Sequence, residues 1–149
     1  SVLTAVDPKR KNFFAYRGVD IFKPNLKEVR EAFGLAEGQV DGNGLMDMHR
    51  RLSEALGHSV SLITLSERGV FHAGKGVSGI IPSHRRDISD VSGAGDTVIA
   101  VAALFYAATS DVALSAAVAN IAGGLVCEEV GTVPVDRRHL LEECKRLLG

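Results

Sequence analysis

Asp90-Val91-Ser92-Gly93-Ala94-Gly95-Asp96-Thr97 opens directly onto a long, Ala-rich apolar run. Glycines at the mouth of a helix let backbone N–H groups converge without side-chain obstruction, and the positive end of the helix dipole adds to their pull on an anion. That geometry suits a phosphoryl group in transfer. Asp96 falls in the first helical turn beside such a cradle, where a carboxylate can accept a proton from an attacking hydroxyl. The plain alternative is a Gly-rich helix start in which Asp96 only complements the dipole, and spacing alone leaves both readings open.

Downstream, residues 97–108 and 112–126 read as two buried helices broken at Thr109-Ser110-Asp111, where Ser110 or Asp111 can cap the second. Both are Ala-rich, interrupted by small polar residues, and short for a bilayer span. Asp136 is placed to cap a last helix over 137–148. Upstream, residues 2–6 form an apolar run ending at Asp7-Pro8, and 19–22 form a β-branched and aromatic run stopped by Pro24. Asn25 precedes Leu26, Val29, Ala32 and Phe33, one helical face that Gly34 ends. A Gly-rich link, 38–44, leads to Leu45, Met48, Leu52 and Leu56, again at helical spacing, with Gly57 as the stop. Residues 60–65 are almost continuously apolar, as expected of a strand covered on both faces, and Glu67-Arg68-Gly69 turns them into 70–73. Further strands are predicted at 79–82 and 86–88. Alternating strands and helices of these lengths predict an α/β fold, a mostly parallel, Rossmann-like three-layer sheet with a small antiparallel excursion over 69–88.

The chain has 149 residues, 46% of them apolar and 23% charged, which suits one domain with a substantial core. A net charge of −1, from 17 basic and 18 acidic residues, argues against nucleic acid or an anionic membrane as partner. No export signal is visible, so a cytoplasmic location is expected. The chain starts without Met on its first apolar run, which reads as a strand cut into from upstream. Cys127 and Cys144 sit in helical patterns with no zinc spacing and are expected to be reduced packing residues.

Three ordered segments resemble the ribokinase family of sugar kinases, also called the PfkB family. Gly93-Ala94-Gly95-Asp96, with Asp90 six positions ahead, is similar to its C-terminal signature. Pro24-Asn25-Leu26-Lys27-Glu28 resembles its Asn-x-x-Glu motif, and Ile63-Thr64-Leu65-Ser66-Glu67-Arg68-Gly69-Val70 resembles its nucleotide-binding strand and turn. Within the family, Asp7-Pro8-Lys9, Lys23-Pro24-Asn25 and the form of the signature look most like kinases of D-glycero-D-manno-heptose 7-phosphate, on the route to ADP-heptose for lipopolysaccharide. The resemblance implies a ribokinase-like fold and transfer of the ATP γ-phosphoryl group to a sugar hydroxyl, the anomeric one for the heptose. It makes Asp96 the general base, and Gly93, Ala94, Gly95 and the Asp96 amide the anion hole. Asn25 and Glu28 would organise Mg²⁺ and its waters near the ATP phosphates, although Asn25 as N-cap and Glu28 three residues on also fit a capping box. Thr64, Ser66 and Gly69 would meet the nucleotide, and Asn120 would lie near the adenine; without the resemblance these are a strand with a tight turn and an interior Asn satisfied by backbone. Asp90, Ser92, Gly131 and Thr132 would border a monovalent cation such as K⁺. Partners would be ATP and a small sugar phosphate, and the full-length protein a homodimer. Family members are about twice this long, so residues 1–149 read as the ATP-binding and catalytic C-terminal portion, without the sugar-binding and lid half, and inactive alone. Two competing readings are another carbohydrate kinase of the family, such as a fructokinase, and a nucleotide-binding module that has lost catalysis.

Several tempting patterns are set aside. Gly74-Lys75-Gly76-Val77-Ser78-Gly79 spells a dinucleotide fingerprint but runs into Ile80-Ile81-Pro82 where a helix is required, so a hairpin loop is expected. Asp41-Gly42-Asn43-Gly44 starts like a calcium loop without the later ligands. The histidines, including His49, His58 and His84, are expected on the surface or in loops, and Arg85-Arg86 as a solvated pair.

Overall fold

Strands β1 (Ala5–Val6), β2 (Ile21–Phe22), β3 (Val60–Thr64), β4 (Val70–Gly74) and β5 (Val77–Ile81) form one five-stranded sheet in chain order. The computed structural model describes residues 1–84 and 88–149. β1, β2 and β3 are parallel; β4 and β5 return antiparallel, so the excursion makes up two of the four strand pairings. β4 and β5 are joined by Lys75-Gly76, both at positive φ (53° and 80°), the geometry that matches the twist of a two-residue hairpin. The glycine-rich stretch 74–79 is thus a hairpin, as expected.

Side chains alternate across the sheet, so each strand feeds two cores. On one face Phe22, Ile63 and Phe71 pack against Val29 of α1 (Leu26–Phe33), against Leu45, Met48, Leu52 and Leu56 of α2 (Gly42–Leu56), and against Phe13 from a 3-10 helix at Arg10–Ala15. On the other, Ile21, Val60, Leu62 and Val70 meet α3 (Ala94–Thr109) and α4 (Val112–Cys127) through Val98, Ala102, Ala116, Ala119 and Ala122. A Cβ on Gly123 would lie 2.7 Å from Val98 Cγ2, so this glycine lets α4 run close along the first turns of α3. α5 (Arg137–Leu148) adds Leu140 and Cys144 to the second core. The result is the three-layer α/β arrangement predicted above.

Three details differ from the sequence reading. α2 begins at Gly42, inside the expected link, because the Asp41 carboxylate accepts from Gly44 N at 2.8 Å and closes the first turn. β5 begins at Val77, two residues early, since the tight turn pairs Val77 with Gly74. His58 is buried and His49 half-buried; both bond Ser61 Oγ, at 2.6 and 2.7 Å, because a fully buried hydroxyl on β3 needs polar partners. The strand expected at 86–88 and the Arg85-Arg86 pair lie outside the described residues, except Ile88, which is in no element. Among the described residues, no helix is long and apolar enough to cross a membrane.

Candidate active site

α3 starts without a side-chain cap. Gly93 holds the N-cap position at φ 77°, in the left-handed region, and its carbonyl accepts from Thr97 N at 3.0 Å. The Ala94 amide reaches Val91 O at 3.3 Å, while the amides of Gly95 and Asp96 have no hydrogen-bond acceptor among the described residues. Two donors at the positive end of a 16-residue helix therefore face outward. Asp96 is exposed, and its carboxylate makes no hydrogen bond or ion pair among the described residues, so it is open to accept a proton.

The strand ends deliver two charged groups to this mouth. Asp7 follows β1 and Lys23 follows β2; Lys23 N donates to Val6 O at 2.8 Å, which fixes the strand ends together. Lys23 Nζ sits 3.5 Å from Asp7 Oδ2. A Cβ built on Gly95 would lie 3.6 Å from Lys23 Nζ and 3.8 Å from Asp7 Oδ2, so the ion pair lies directly against the open turn of α3. Neither residue emerged from the sequence as a site residue. The available signal is positional: a charged residue immediately after an apolar strand run in a parallel sheet lands at the carboxyl edge, where α/β folds place their sites.

Asn25 and Glu28 form the capping box that their spacing allows: Asn25 Oδ1 accepts from Glu28 N at 2.7 Å, and Glu28 Oε1 accepts from Asn25 N at 3.0 Å. Glu28 Oε2 has no partner among the described residues, which leaves one carboxylate oxygen for a hydrated cation. Asn25 also bridges to Thr64 across parallel backbone, with Thr64 N donating to Pro24 O at 3.1 Å. Two motifs far apart in the chain thereby become neighbours.

Ser66, Gly69 and Asn120 share a corner. Ser66 is exposed at φ 53°, and Ser83 Oγ donates to its carbonyl at 3.3 Å. Gly69 has φ 96°, and a Cβ there would strike Ile81 O and come within 2.7 Å of Ser83 N, so the close approach at this turn is to the chain's own backbone. Asn120 Nδ2 donates to Pro82 O at 2.9 Å, the backbone-satisfied arrangement. Asn120 lies one turn before Gly123, which sets this corner beside the first turns of α3.

Asp90, Ser92, Gly131 and Thr132 also come together. Asp90 Oδ1 accepts from the Ser92 hydroxyl at 2.7 Å and the Ser92 amide at 2.9 Å, and Oδ2 accepts from Gly131 N at 3.0 Å. These bonds, led by the Ser92 hydroxyl, hold the Asp90 carboxyl below its ordinary range. Thr132 Cγ2 would lie 2.9 Å from a Cβ at Gly93. The cluster locks the loop before α3 to the loop after α4, with both Asp90 oxygens already engaged by protein donors. A surface concavity of about 340 Å³ is lined by Glu28 with Arg10, Lys11, Phe14 and Glu31 among others; it does not include the α3 mouth.

The carboxyl edge of the parallel strands thus meets an uncapped helix start with an acid in its first turn. The sequence pattern of the pfkB family of carbohydrate kinases matches residues 5–137, and the chain belongs to that family. It is 34% identical over 149 residues to the bifunctional protein HldE of Shewanella amazonensis, covering 99% of this chain and 31% of that protein. It is 37% identical over 137 residues to HldE of Rhodospirillum rubrum, covering 91% and 27%. The fold superposes on Escherichia coli phosphofructokinase-2 in complex with substrates and products at a TM-score of 0.87 and 15% identity, over 99% of this chain and 48% of that one. The chain thus spans about a third or less of the curated relatives it matches.

Proposed function

We propose that this chain is the nucleotide-binding and catalytic portion of an ATP-dependent sugar kinase whose acceptor is the anomeric hydroxyl of D-glycero-D-manno-heptose 7-phosphate, giving the 1,7-bisphosphate. The observation that carries the reading is the helix mouth at Gly93–Asp96, where two unpaired amides stand beside an unpartnered carboxylate. The heptose is supported by the stretches around Asp7 and Lys23 and by the similarity to HldE proteins.

In this reading Asp96 takes the proton of the acceptor hydroxyl as its oxygen bonds to the γ-phosphorus, and the bond to the β–γ bridging oxygen breaks with its electrons leaving on ADP. The Gly95 and Asp96 amides stabilise charge on the phosphoryl oxygens in flight, and Ala94 and Gly93 keep the approach clear. Asn25 and Glu28 would hold Mg²⁺ through its waters, and the ion, when bound, spreads charge over the phosphate oxygens. Thr64, Ser66, Gly69 and Asn120 form the nucleoside end. Asp90, Ser92, Gly131 and Thr132 border the monovalent cation, K⁺ by preference. The sugar-contacting half and its lid belong to polypeptide outside residues 1–149, the full-length protein is a cytoplasmic homodimer, and the isolated chain binds nucleotide weakly without turning over.

The test is transfer of label from γ-labelled ATP, by the full-length enzyme and by the isolated chain, to heptose 7-phosphate, fructose 6-phosphate and ribose. Full-length enzyme should prefer the heptose. Preference for another sugar replaces the acceptor, steady turnover by the isolated chain removes the need for a second half, and no transfer to any sugar removes the kinase reading.

A further inference from the structure

We propose that Lys23 binds the terminal phosphate of the nucleotide, and that Asp7 is the resident counter-ion which keeps this lysine tolerable before the anion arrives. The inference rests on the kinase reading above and adds to it a cation for which the sequence motifs assign no role. Lys23 is 3% exposed. Lysine is almost never buried to that degree unless paired, because desolvating an ammonium costs several kcal/mol. Its partner, Asp7 Oδ2, is 3.5 Å away, an ion-pair distance without a hydrogen bond, so the three ammonium donors have no hydrogen-bond acceptor among the described residues.

The direction of the side chain is what matters. Lys23 Nζ stands 3.6 Å from the Cβ position of Gly95, whose own amide is unpaired, so the ammonium occupies a small volume directly against the open first turn of α3. Both members of the pair leave from strand ends pinned in the sheet, which holds the charge in place with little freedom left to lose on binding. An anion in that volume would supply the acceptors that Lys23 lacks. A merely structural pair tying β1 to β2 would have no reason to face the open turn of another element.

Titration of the chain with Mg²⁺ and the β,γ-imido analogue of ATP, with ADP and with AMP, followed by NMR, tests this. Lys23→Met should weaken the triphosphate analogue by at least about tenfold and AMP by less than about threefold, since only the former reaches the cation. Asp7→Asn should tighten the triphosphate, because it removes a competing carboxylate. If Lys23→Met unfolds the chain by stranding Asp7, the double variant Asp7→Asn/Lys23→Met keeps the volume without buried charge and must show the same triphosphate-selective loss. An equal loss for all three ligands, or an Asp7→Asn loss as large as that of Lys23→Met, overturns the assignment and leaves a structural pair. Failure of the broader reading looks different: wild-type chain that takes up none of the ligands, or Gly95→Val that binds like wild type, removes the nucleotide from the α3 mouth and the role of Lys23 with it. Binding lost in Gly95→Val and kept in the lysine variants removes Lys23 alone.

Discussion

α1 and α3 both carry an acid at the third residue of the helix, Glu28 in one and Asp96 in the other, and use it in opposite ways. Glu28 folds back onto Asn25 N while Asn25 closes the Glu28 amide, so the start of α1 satisfies itself. α2, α4 and α5 are closed in the same spirit by Asp41, Asp111 and Asp136. At α3 a glycine stands where the capping side chain would be, the Gly95 and Asp96 amides stay open, and the acid makes no hydrogen bond to its own backbone among the described residues. An N-terminal amide that no side chain satisfies must find water or a ligand. In the function proposed above, that opening is where the phosphoryl group is held, at the carboxyl edge of the sheet of a chain that belongs to the pfkB family.

The largest expected effect separates the two acids. Asp96→Asn in the full-length enzyme should lower kcat by about a hundredfold to ten-thousandfold, the range general-base removal usually costs, with nucleotide affinity and melting temperature nearly unchanged. Steady-state assays and a thermal melt on the same preparation decide it. A mutant that keeps substantial turnover would make Asp96 a dipole residue like any other, and the contrast with Glu28 would collapse.

A second unsatisfied group tests whether openness alone marks function. His58 Nδ1 is enclosed with no hydrogen-bond partner among the described residues, and burial, then the neighbouring His49 charge, lowers this imidazole from 6.5 to about 4. Protonation would place an N–H at Nδ1 with nothing to accept it. The unfolded chain takes up this proton as pH falls through 6.5, while the folded chain resists until about 4, so the fold loses stability across that window. The loss is at most about 3 to 4 kcal/mol. Chemical denaturation between pH 7 and 4 should show it, and His58→Gln should flatten the slope. A slope that persists in the variant assigns the acid sensitivity elsewhere.

The capped helices were the most legible part of the chain. Asn25 with Gly34, and Asp136, punctuate α1 and α5 at the residues the structure uses, because caps and stops are local chemistry. The start of α2 was not legible: Gly42-Asn43-Gly44 are poor helix formers, yet the first turn tolerates them once Asp41 accepts from Gly44 N. The α3 mouth could be read because its glycines and acid are contiguous. Lys23 and Asp7 carry only the positional signal of a charge just after an apolar strand run, which places them at the carboxyl edge; only the crossing of β1, β2 and α3 puts them at Gly95. The contacts of Asn25 with Thr64 and of Asn120 with Pro82 are long-range products of the same sheet.

Glu28 offers a sharper cut between closure and chemistry. Glu28→Ala removes half of the capping box and should cost about 1 kcal/mol of stability. Glu28→Gln can still accept from Asn25 N, so its stability should hold while the Mg²⁺ concentration needed for half-maximal activity rises. Equal magnesium dependence in Glu28→Gln and wild type would confine Glu28 to the cap.

The smallest effect is the one that tells most about α3. Gly95 has an ordinary helical backbone, and a methyl group there would meet its neighbours at 3.6 and 3.8 Å, normal contact distances. Nothing in the fold therefore asks for glycine, and Gly95→Ala should stabilise the helix by up to about 1 kcal/mol. The same methyl would stand in front of Lys23 Nζ and the open amides, where a phosphate must approach, so nucleotide binding should weaken as the melting temperature rises. Gly69 makes the opposite case, with a left-handed backbone and a Cβ that would strike Ile81 O. A glycine the fold requires explains itself by packing, whereas one the fold could profitably replace needs a ligand to explain it. If Gly95→Ala gains stability and binds nucleotide as before, the open mouth of α3 is only an unfinished helix end.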